Sequence, residues 1–305
     1  MIDIVGKKIW YFLFSGLMII PGLVALGIWG LNLGIDFTGG TLLEYQFQKN
    51  INKNEIESTV REKKIEVSSI ATTSENTYLI RTKPLDDAKI KESATALSSK
   101  FGETKQLRRE TIGPTIGTEL LRKAIVAVVL ASAAIVLYIA WAFRKVPSPT
   151  SSWRFGASAV VALLHDVLFV IGAFAIFGHF FAVEVDALFV TAILTIIGFS
   201  VHDTIVVFDR IRENLTKRIS PLFSETVNHS IIQTMTRSLN TSLTVVFVLL
   251  AVLLFGGASI RWFVVALLIG IISGTYSSIF NASPILVLWQ EWSQRRRVKN
   301  ERGSH

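Results

Sequence analysis

The main pattern along the chain is a set of six apolar stretches separated by polar segments. Each stretch is close to the length of about 20 residues that an α-helix needs to cross the hydrocarbon core of a bilayer. The pattern therefore predicts six membrane-spanning helices. Their predicted bounds are Ile9–Leu31, Leu120–Phe143, Phe155–Phe177, Ala187–Phe208, Leu239–Phe255 and Trp262–Trp289.

The first apolar stretch follows two basic residues, Lys7 and Lys8, as a signal peptide would. Its apolar run is too long for a signal peptide, and no small-residue cleavage site follows it. We therefore interpret it as a retained first helix and expect a kink at Pro21-Gly22, because proline removes a backbone hydrogen bond.

The polar segment between the first two spans alternates between strand and helix patterns. The predicted order β-α-β-β-α-β is that of a ferredoxin-like domain. The predicted elements are strand Thr41–Phe47, helix Lys53–Lys64, strands Glu66–Thr72 and Thr77–Thr82 around a turn at Ser74–Asn76, helix Asp86–Phe101 and strand Glu103–Thr111.

The fold class follows as a polytopic α-helical membrane protein with one extracytoplasmic α+β domain between helices 1 and 2. Four regions are expected: residues 1–34 with the first helix, 35–118 as the outer domain, 119–290 with helices 2 to 6, and 291–305 as a basic tail. The last residues, Arg302–His305, resemble the start of a truncated purification tag, so we leave them out of the functional interpretation.

Positive charge marks one side of the membrane. The predicted loop 178–186 has no Lys or Arg, and the loop before the last span has only Arg261. Because short cytoplasmic loops are enriched in Lys and Arg, we expect both termini to be cytoplasmic. The net charge of +8 is then mainly membrane-flanking charge, which argues against a nucleic-acid partner. The flanking residues are Lys7, Lys8, Arg144, Lys145, Arg154, Arg210, Arg212, Lys217, Arg218, Arg295, Arg296, Arg297 and Lys299.

Two identical dipeptides place ionisable groups where lipid is expected. His165-Asp166 lies in the third predicted span and His202-Asp203 in the fourth. Helix geometry puts Asp203 about 10 Å before Arg210 and Asp166 about 16 Å past Phe155. A carboxylate at this depth is costly and marks an ion or proton pathway. The alternative is that both carboxylates lie at the ends of helices shorter than those predicted.

Arg237 is the candidate counter-charge for Asp203. If the fifth span begins near His229, Arg237 lies about 12 Å inside the membrane, which matches the depth of Asp203. An ion pair between them would be broken by protonation of the carboxylate, and this would make a proton-operated switch. The alternative is that Arg237 flanks a shorter helix beginning at Leu239.

Other motifs have structural interpretations. Asp209 and Arg210 belong to a charged cluster that is typical of a helix end. Gly270 and Gly274 form a small-residue face that, with Ser273, Ser277 and Ser278, permits close helix packing. The chain has no cysteine, phosphate-binding loop, nucleophile elbow or zinc-binding HExxH motif. We therefore expect no enzymatic activity, cofactor or metal.

Five motifs in order resemble those of the SecD/SecF protein-export family, in its smaller, SecF-type branch. The clearest contains Asp36, Gly39 and Gly40, where the glycines would let the chain turn sharply from helix to strand. The five are Gly34-Ile-Asp-Phe-Thr-Gly-Gly40, Leu164-His-Asp166, Gly198-Phe-Ser-Val-His-Asp203, Val207-Phe-Asp-Arg-Ile-Arg-Glu-Asn214 and Arg237-Ser-Leu-Asn-Thr-Ser242.

The resemblance implies half of a resistance-nodulation-division (RND) transporter in the bacterial inner membrane. SecD would supply the other half, and the pair would use the proton-motive force in late-stage preprotein export beside the SecYEG channel. Asp203 and Arg237 match the family's proton-path positions. Two alternatives stay open, namely half of a proton-driven small-molecule exporter and a translocon subunit that only assists assembly.

Overall fold

The computed structural model describes residues 3–74, 76–144, 146–147 and 150–303. Three features expected from the sequence fall partly outside them: Glu75 of the predicted turn, Lys145 of the basic loop, and Ser304 and His305 of the tag remnant.

The six predicted membrane spans are confirmed among the described residues. Most of the helices are longer than their apolar stretches, because polar turns continue them beyond the hydrocarbon layer. They are α1 (Lys8–Trp29, after a 3₁₀ turn at Val5–Lys7), α5 (Pro114–Ala142), α6 (Ser152–Phe181), α7 (Ala187–Lys217), α8 (Phe223–Phe255), and α9 (Arg261–Ser277) joined to α10 (Ser283–Gly303) by a π-helical turn, Ser278–Ala282.

One predicted boundary was wrong. Helix α8 begins at Phe223, before both Leu239 and His229, because residues such as Thr226, Ser230 and Thr234 recur every fourth position and are buried on one face. The tail from residue 291 continues the last helix as far as Gly303.

Pro21 lies inside an uninterrupted helix, and its neighbour Gly22 has a packing role. A Cβ atom at Gly22 would lie 2.8 Å from the Cα of Gly172 on α6. The two glycines therefore let the backbones of α1 and α6 approach closely, as small residues do in membrane bundles.

The ferredoxin-like fold of the outer domain is confirmed. Its elements are α2 (Ile35–Thr38), β1 (Gly40–Phe47), α3 (Lys53–Glu62), β2 (Val67–Ser74), β3 (Thr77–Thr82), α4 (Asp87–Phe101) and β4 (Thr104–Ile112). The strands pair antiparallel in the order β2-β3-β1-β4.

Side chains along β1 alternate between the two faces of the sheet, and those on one face form part of the domain core. Leu43, Tyr45 and Phe47 point to one face of the sheet and pack with Ile56 of α3 and Leu97 of α4. Both helices are capped by side chains: Asn52 accepts a hydrogen bond from the N–H of Asn54, and Asp86 accepts one from the N–H of Lys89. The other face of the sheet is turned toward the membrane helices.

Candidate intramembrane carboxylate site

Asp166 on α6 is fully buried and is held by serine hydroxyls. Ser200 of α7 and Ser277 of α9 each donate to its Oδ2 at 2.6 Å, and Ser273 of α9 donates to its Oδ1 at 2.8 Å. Ser273 and Ser277 are four residues apart and so lie on the same face of α9. These hydroxyl donors replace part of the hydration that the carboxylate loses on burial.

Asp203 on α7 is also buried, but its contacts are looser. Ser242 of α8 and Thr275 of α9 both lie 3.5 Å from its Oδ2, at the limit of hydrogen-bond length. These two hydroxyls lie 2.5 Å from each other. Asp203 is therefore less firmly held than Asp166, although both contact the same helix.

Helix α9 reaches both carboxylates because it packs tightly between α6, α7 and α8. A Cβ atom at Gly270 would overlap the side chain of Ile196, and one at Gly274 would lie 3.1 Å from the Cβ of Ser200. These glycines place the α9 hydroxyls within reach of Asp166 and Asp203. The π-helical turn follows directly, and such turns are frequent at functional sites.

The structure does not bring Arg237 to Asp203. Arg237 is exposed, and within the described part of the chain its side chain forms no ion pair or hydrogen bond. Helix rise puts Asp203 about 24 Å from the first residue of α7 and Arg237 about 27 Å from the last residue of α8, so the two residues lie at similar distances from these helix ends. The rotation differs, because Ser242, which faces Asp203, is five residues and so about 140° around α8 from Arg237.

The two histidines lie in different surroundings. The Nδ1 of His165 is 3.0 Å from Asp166 Oδ1, and its Nε2 is buried without a hydrogen-bond partner among the described residues. His202 is exposed on α7. His165 thus adjoins the hydroxyl groups around Asp166, whereas His202 lies on the exposed surface of α7.

The serine and threonine donors were missed as ligands of the carboxylates. The sequence pattern assigns Ser273 and Ser277 to close helix approach, whereas the structure adds a direct hydrogen-bonding role. The four-residue spacing of two hydroxyls in an apolar helix was the available signal. Nothing in the sequence indicates that Ser200, Ser242 or Thr275 would meet the same carboxylates.

The glycine motif that follows α1, residues 34–40, contacts several helices. Gly39 has a φ of +72° and Gly40 a φ of +141°, and a Cβ atom at Gly39 would lie 2.7 Å from the Cα of Pro114. Asp36 accepts a hydrogen bond at 2.8 Å from the backbone N–H of Ala187, the first residue of α7. The motif therefore joins the start of the outer domain to α5 and to the helix that carries Asp203.

The charged cluster at the inner end of α7 connects α7 to α8. Asp209 pairs with Arg212 on the same helix, while Arg210 donates to Gln233 of α8 at 2.6 Å. The buried Asn214 donates to Ser230 and Gln233. The geometry is that of a helix-end anchor.

Polar side chains on the surface of two neighbouring spans would face lipid if this chain were alone in the membrane. His202 of α7 and Arg237 and Asn240 of α8 are exposed at membrane depth. Polar groups inside membranes normally face protein or a water-filled cavity. Each of these residues therefore marks a position that another membrane segment can cover.

Comparison with known proteins identifies the family to which this chain belongs. Residues 92–292 match the family described as protein export membrane protein SecD/SecF, C-terminal, and residues 24–51 match the SecD/SecF GG motif. The chain belongs to the SecD/SecF family. The second match contains Asp36, Gly39 and Gly40.

Relatives within the SecD/SecF family align over nearly the whole chain. The protein translocase subunit SecF of Thermobaculum terrenum is 48% identical over 303 residues, which cover 95% of this chain and 94% of the relative. The protein translocase subunit SecF of Anaerolinea thermophila is 45% identical over 96% of both chains.

Longer, SecDF-type family members match over part of their length. The crystal structure of SecDF from Thermus thermophilus has a TM-score of 0.85 and 33% identity, and the match covers 95% of this chain but 39% of that one. The protein translocase subunit SecDF of Bacillus subtilis is 36% identical, with 38% of its length matched. This chain thus spans about two fifths of the SecDF chains.

Proposed function

We propose that this chain is a subunit of the Sec export machinery that, with SecD, uses the proton-motive force to promote late-stage preprotein translocation. The observation that carries the proposal is the pair of buried carboxylates, Asp166 and Asp203, inside a bundle of membrane helices. Among the described residues neither has a Lys or Arg within 4.0 Å. Buried carboxylates surrounded by hydroxyl groups are typical of sites that take up and release protons.

The two carboxylates are proposed to have different roles in the proton path. Asp166 has three short hydroxyl contacts and His165 beside it, so it is firmly positioned. We propose that it is a fixed site in the proton path. Asp203, with two contacts at 3.5 Å, is freer to change partners on protonation. We therefore assign the switching role to Asp203.

Arg237 is proposed to act across the interface with SecD. It is exposed at membrane depth, as are Asn240 on the same helix and His202 on the neighbouring α7. A charge in that position calls for a partner carboxylate or a water-filled path. The match of this chain to about two fifths of a SecDF chain supports a SecD-type partner, and we propose that this partner contacts Arg237.

The proposed setting is the bacterial cytoplasmic membrane, with both termini on the cytoplasmic side. The distribution of Lys and Arg over the short loops supports this orientation. The outer domain would then lie on the far side, where an emerging preprotein leaves the SecYEG channel. SecYEG, the preprotein and protons are therefore the proposed partners in addition to SecD.

An export assay in cells tests the proposal. In cells whose sole copy carries Asp203→Asn, we expect unprocessed precursor to accumulate in a pulse–chase measurement. Asp209→Asn is the matched control, because Asp209 lies on the same helix but is exposed at its inner end. Native export rates with Asp203→Asn at native membrane levels would contradict the proposal and favour a purely structural role.

A further inference from the structure

One of the contacts between the outer domain and the membrane helices is formed by the loop between α6 and α7. The loop between α6 and α7 pairs with the segment after α1 through a parallel bridge between Leu33 and Val185. The guanidinium group of Arg81, on β3, forms an ion pair with Glu184 in that loop. This contact joins the open face of the outer sheet to the membrane helices.

The ion pair is largely enclosed. The side chains of Arg81 and Glu184 keep 11% and 13% of their exposure. Gly34 lies against the pair, since a Cβ atom there would be 3.3 Å from Glu184 Oε2. Undocking of the outer domain would return both side chains to water.

Negative charge is crowded around Glu184. Asp36 on α2 and Asp186 in the same loop each raise the pKa of Glu184, and each also accepts a backbone hydrogen bond at the start of α7. Arg81 opposes this effect. The other charged groups lining the adjoining cavity are Glu44, Arg108, Glu110 and Arg261.

A cavity large enough for water gives protons access to this junction. Its volume is about 350 Å³, and its walls come from the open face of the outer sheet and from the outer ends of the membrane helices. A space of this size holds several water molecules, since each takes about 30 Å³ in the liquid. Glu184 lies on its wall and can exchange protons with the outer solution.

We propose that Glu184 is a proton-binding site at the domain junction, and that proton uptake there favours the docked arrangement of the outer domain. Burial, more than its acidic neighbours, raises the pKa of Glu184 from 4.5 to about 7. A glutamate freed into water by undocking would return to its ordinary pKa, so the docked state binds the proton more tightly.

The direction of the pH effect follows from this difference. Between about 4.5 and about 7, undocking releases a proton, so a lower pH favours docking and a higher pH favours release. A single proton changes the undocking equilibrium by at most about tenfold per pH unit within this window. Docking thus responds to acidity on the outer side, independently of Asp203 and beyond the export function proposed above.

A distance measurement on the full chain tests the proposal. Because the chain has no cysteine, Lys91→Cys on α4 and Phe255→Cys at the end of α8 give two unique spin-label sites, both exposed. We expect the docked fraction to rise as the pH falls from about 8.5 to about 5. Glu184→Gln, which mimics the protonated form, should stay docked at every pH.

Two further variants separate this site from general acid effects. Arg81→Met removes the charge that stabilises the carboxylate, so the midpoint of the transition should move to higher pH. Glu66→Gln is the control, because Glu66 forms an exposed ion pair with Lys83 in the same domain, and it should respond like the native chain. A distance distribution that is constant over this pH range, or a pH response that survives Glu184→Gln, would overturn the proposal.

Discussion

The hydroxyl of Ser277 on α9 donates a hydrogen bond of 2.6 Å to the buried carboxylate of Asp166 on α6. With Ser273 one turn away, it makes α9 the main source of hydroxyl donors for the candidate site. A helix that was expected only to pack therefore also supplies hydrogen bonds to a buried carboxyl group.

Removing either α9 donor should destabilise the protein. Ser277→Ala and Ser273→Ala each leave a lone pair of Asp166 without its donor, at a cost of about 1–3 kcal/mol. Thermal unfolding in detergent measures the effect. Thr244→Ala is the control, because Thr244 is exposed and bonds only to its own helix. Equal unfolding temperatures for all three variants would contradict the role of the donors.

The close contact of α9 with α7 should appear as coupling between Gly270 and Ile196. Gly270→Ala would overlap the side chain of Ile196 and should destabilise the protein by about 1–3 kcal/mol. Combining it with Ile196→Ala should recover part of that loss, as a double-mutant cycle would show. Gly198→Ala, with no atom within 4 Å of the new Cβ, should show no such overlap. Strictly additive effects at positions 270 and 196 would refute the contact.

Gly39 and Gly30 allow backbone strain and steric overlap to be separated. Both have positive φ, +72° and +69°, but only Gly39 has a neighbour, Pro114, where a Cβ atom would go. Alanine at either position should cost about 1–3 kcal/mol for the conformation, because φ and ψ lie in a region that glycine alone adopts readily. Gly39→Ala should cost more, because the start of α5 must also move. Equal losses of unfolding free energy in the two variants would argue against the close approach.

Asp36 should tune the pH response of the junction. Asp36→Asn keeps an oxygen that can accept the hydrogen bond from Ala187 but removes a negative charge near Glu184. Loss of that charge lowers the pKa of Glu184, so the docking transition should shift to lower pH, opposite to Arg81→Met. The spin-label distances described above measure it. A shift to higher pH would show that another group titrates.

Much of the fold could be predicted from the sequence because its signals are local. Apolar length gives the six spans, and alternation in segments such as Thr41–Phe47 gives the strands of the outer domain. The start of α8 at Phe223 was missed because its polar first turns are stabilised by burial against other helices, which a hydropathy pattern does not record.

The candidate site could be predicted only in part. Asp166 and Asp203 were identifiable because a carboxylate in an apolar helix is conspicuous by itself. Their partners were not, since hydrogen-bond geometry depends on helix rotation. Arg237 illustrates the difference, because its depth was estimated along one axis while its direction around α8 depends on packing.

The central claim is that Asp203 couples the proton gradient to export, and preprotein translocation into membrane vesicles tests it most directly. Vesicles containing this chain with SecD and SecYEG should translocate more preprotein when a proton gradient is imposed. Asp203→Asn should abolish that increase while leaving the translocation measured without a gradient intact, and Asp209→Asn should retain the increase. A gradient-dependent increase that persists in Asp203→Asn vesicles would contradict the account.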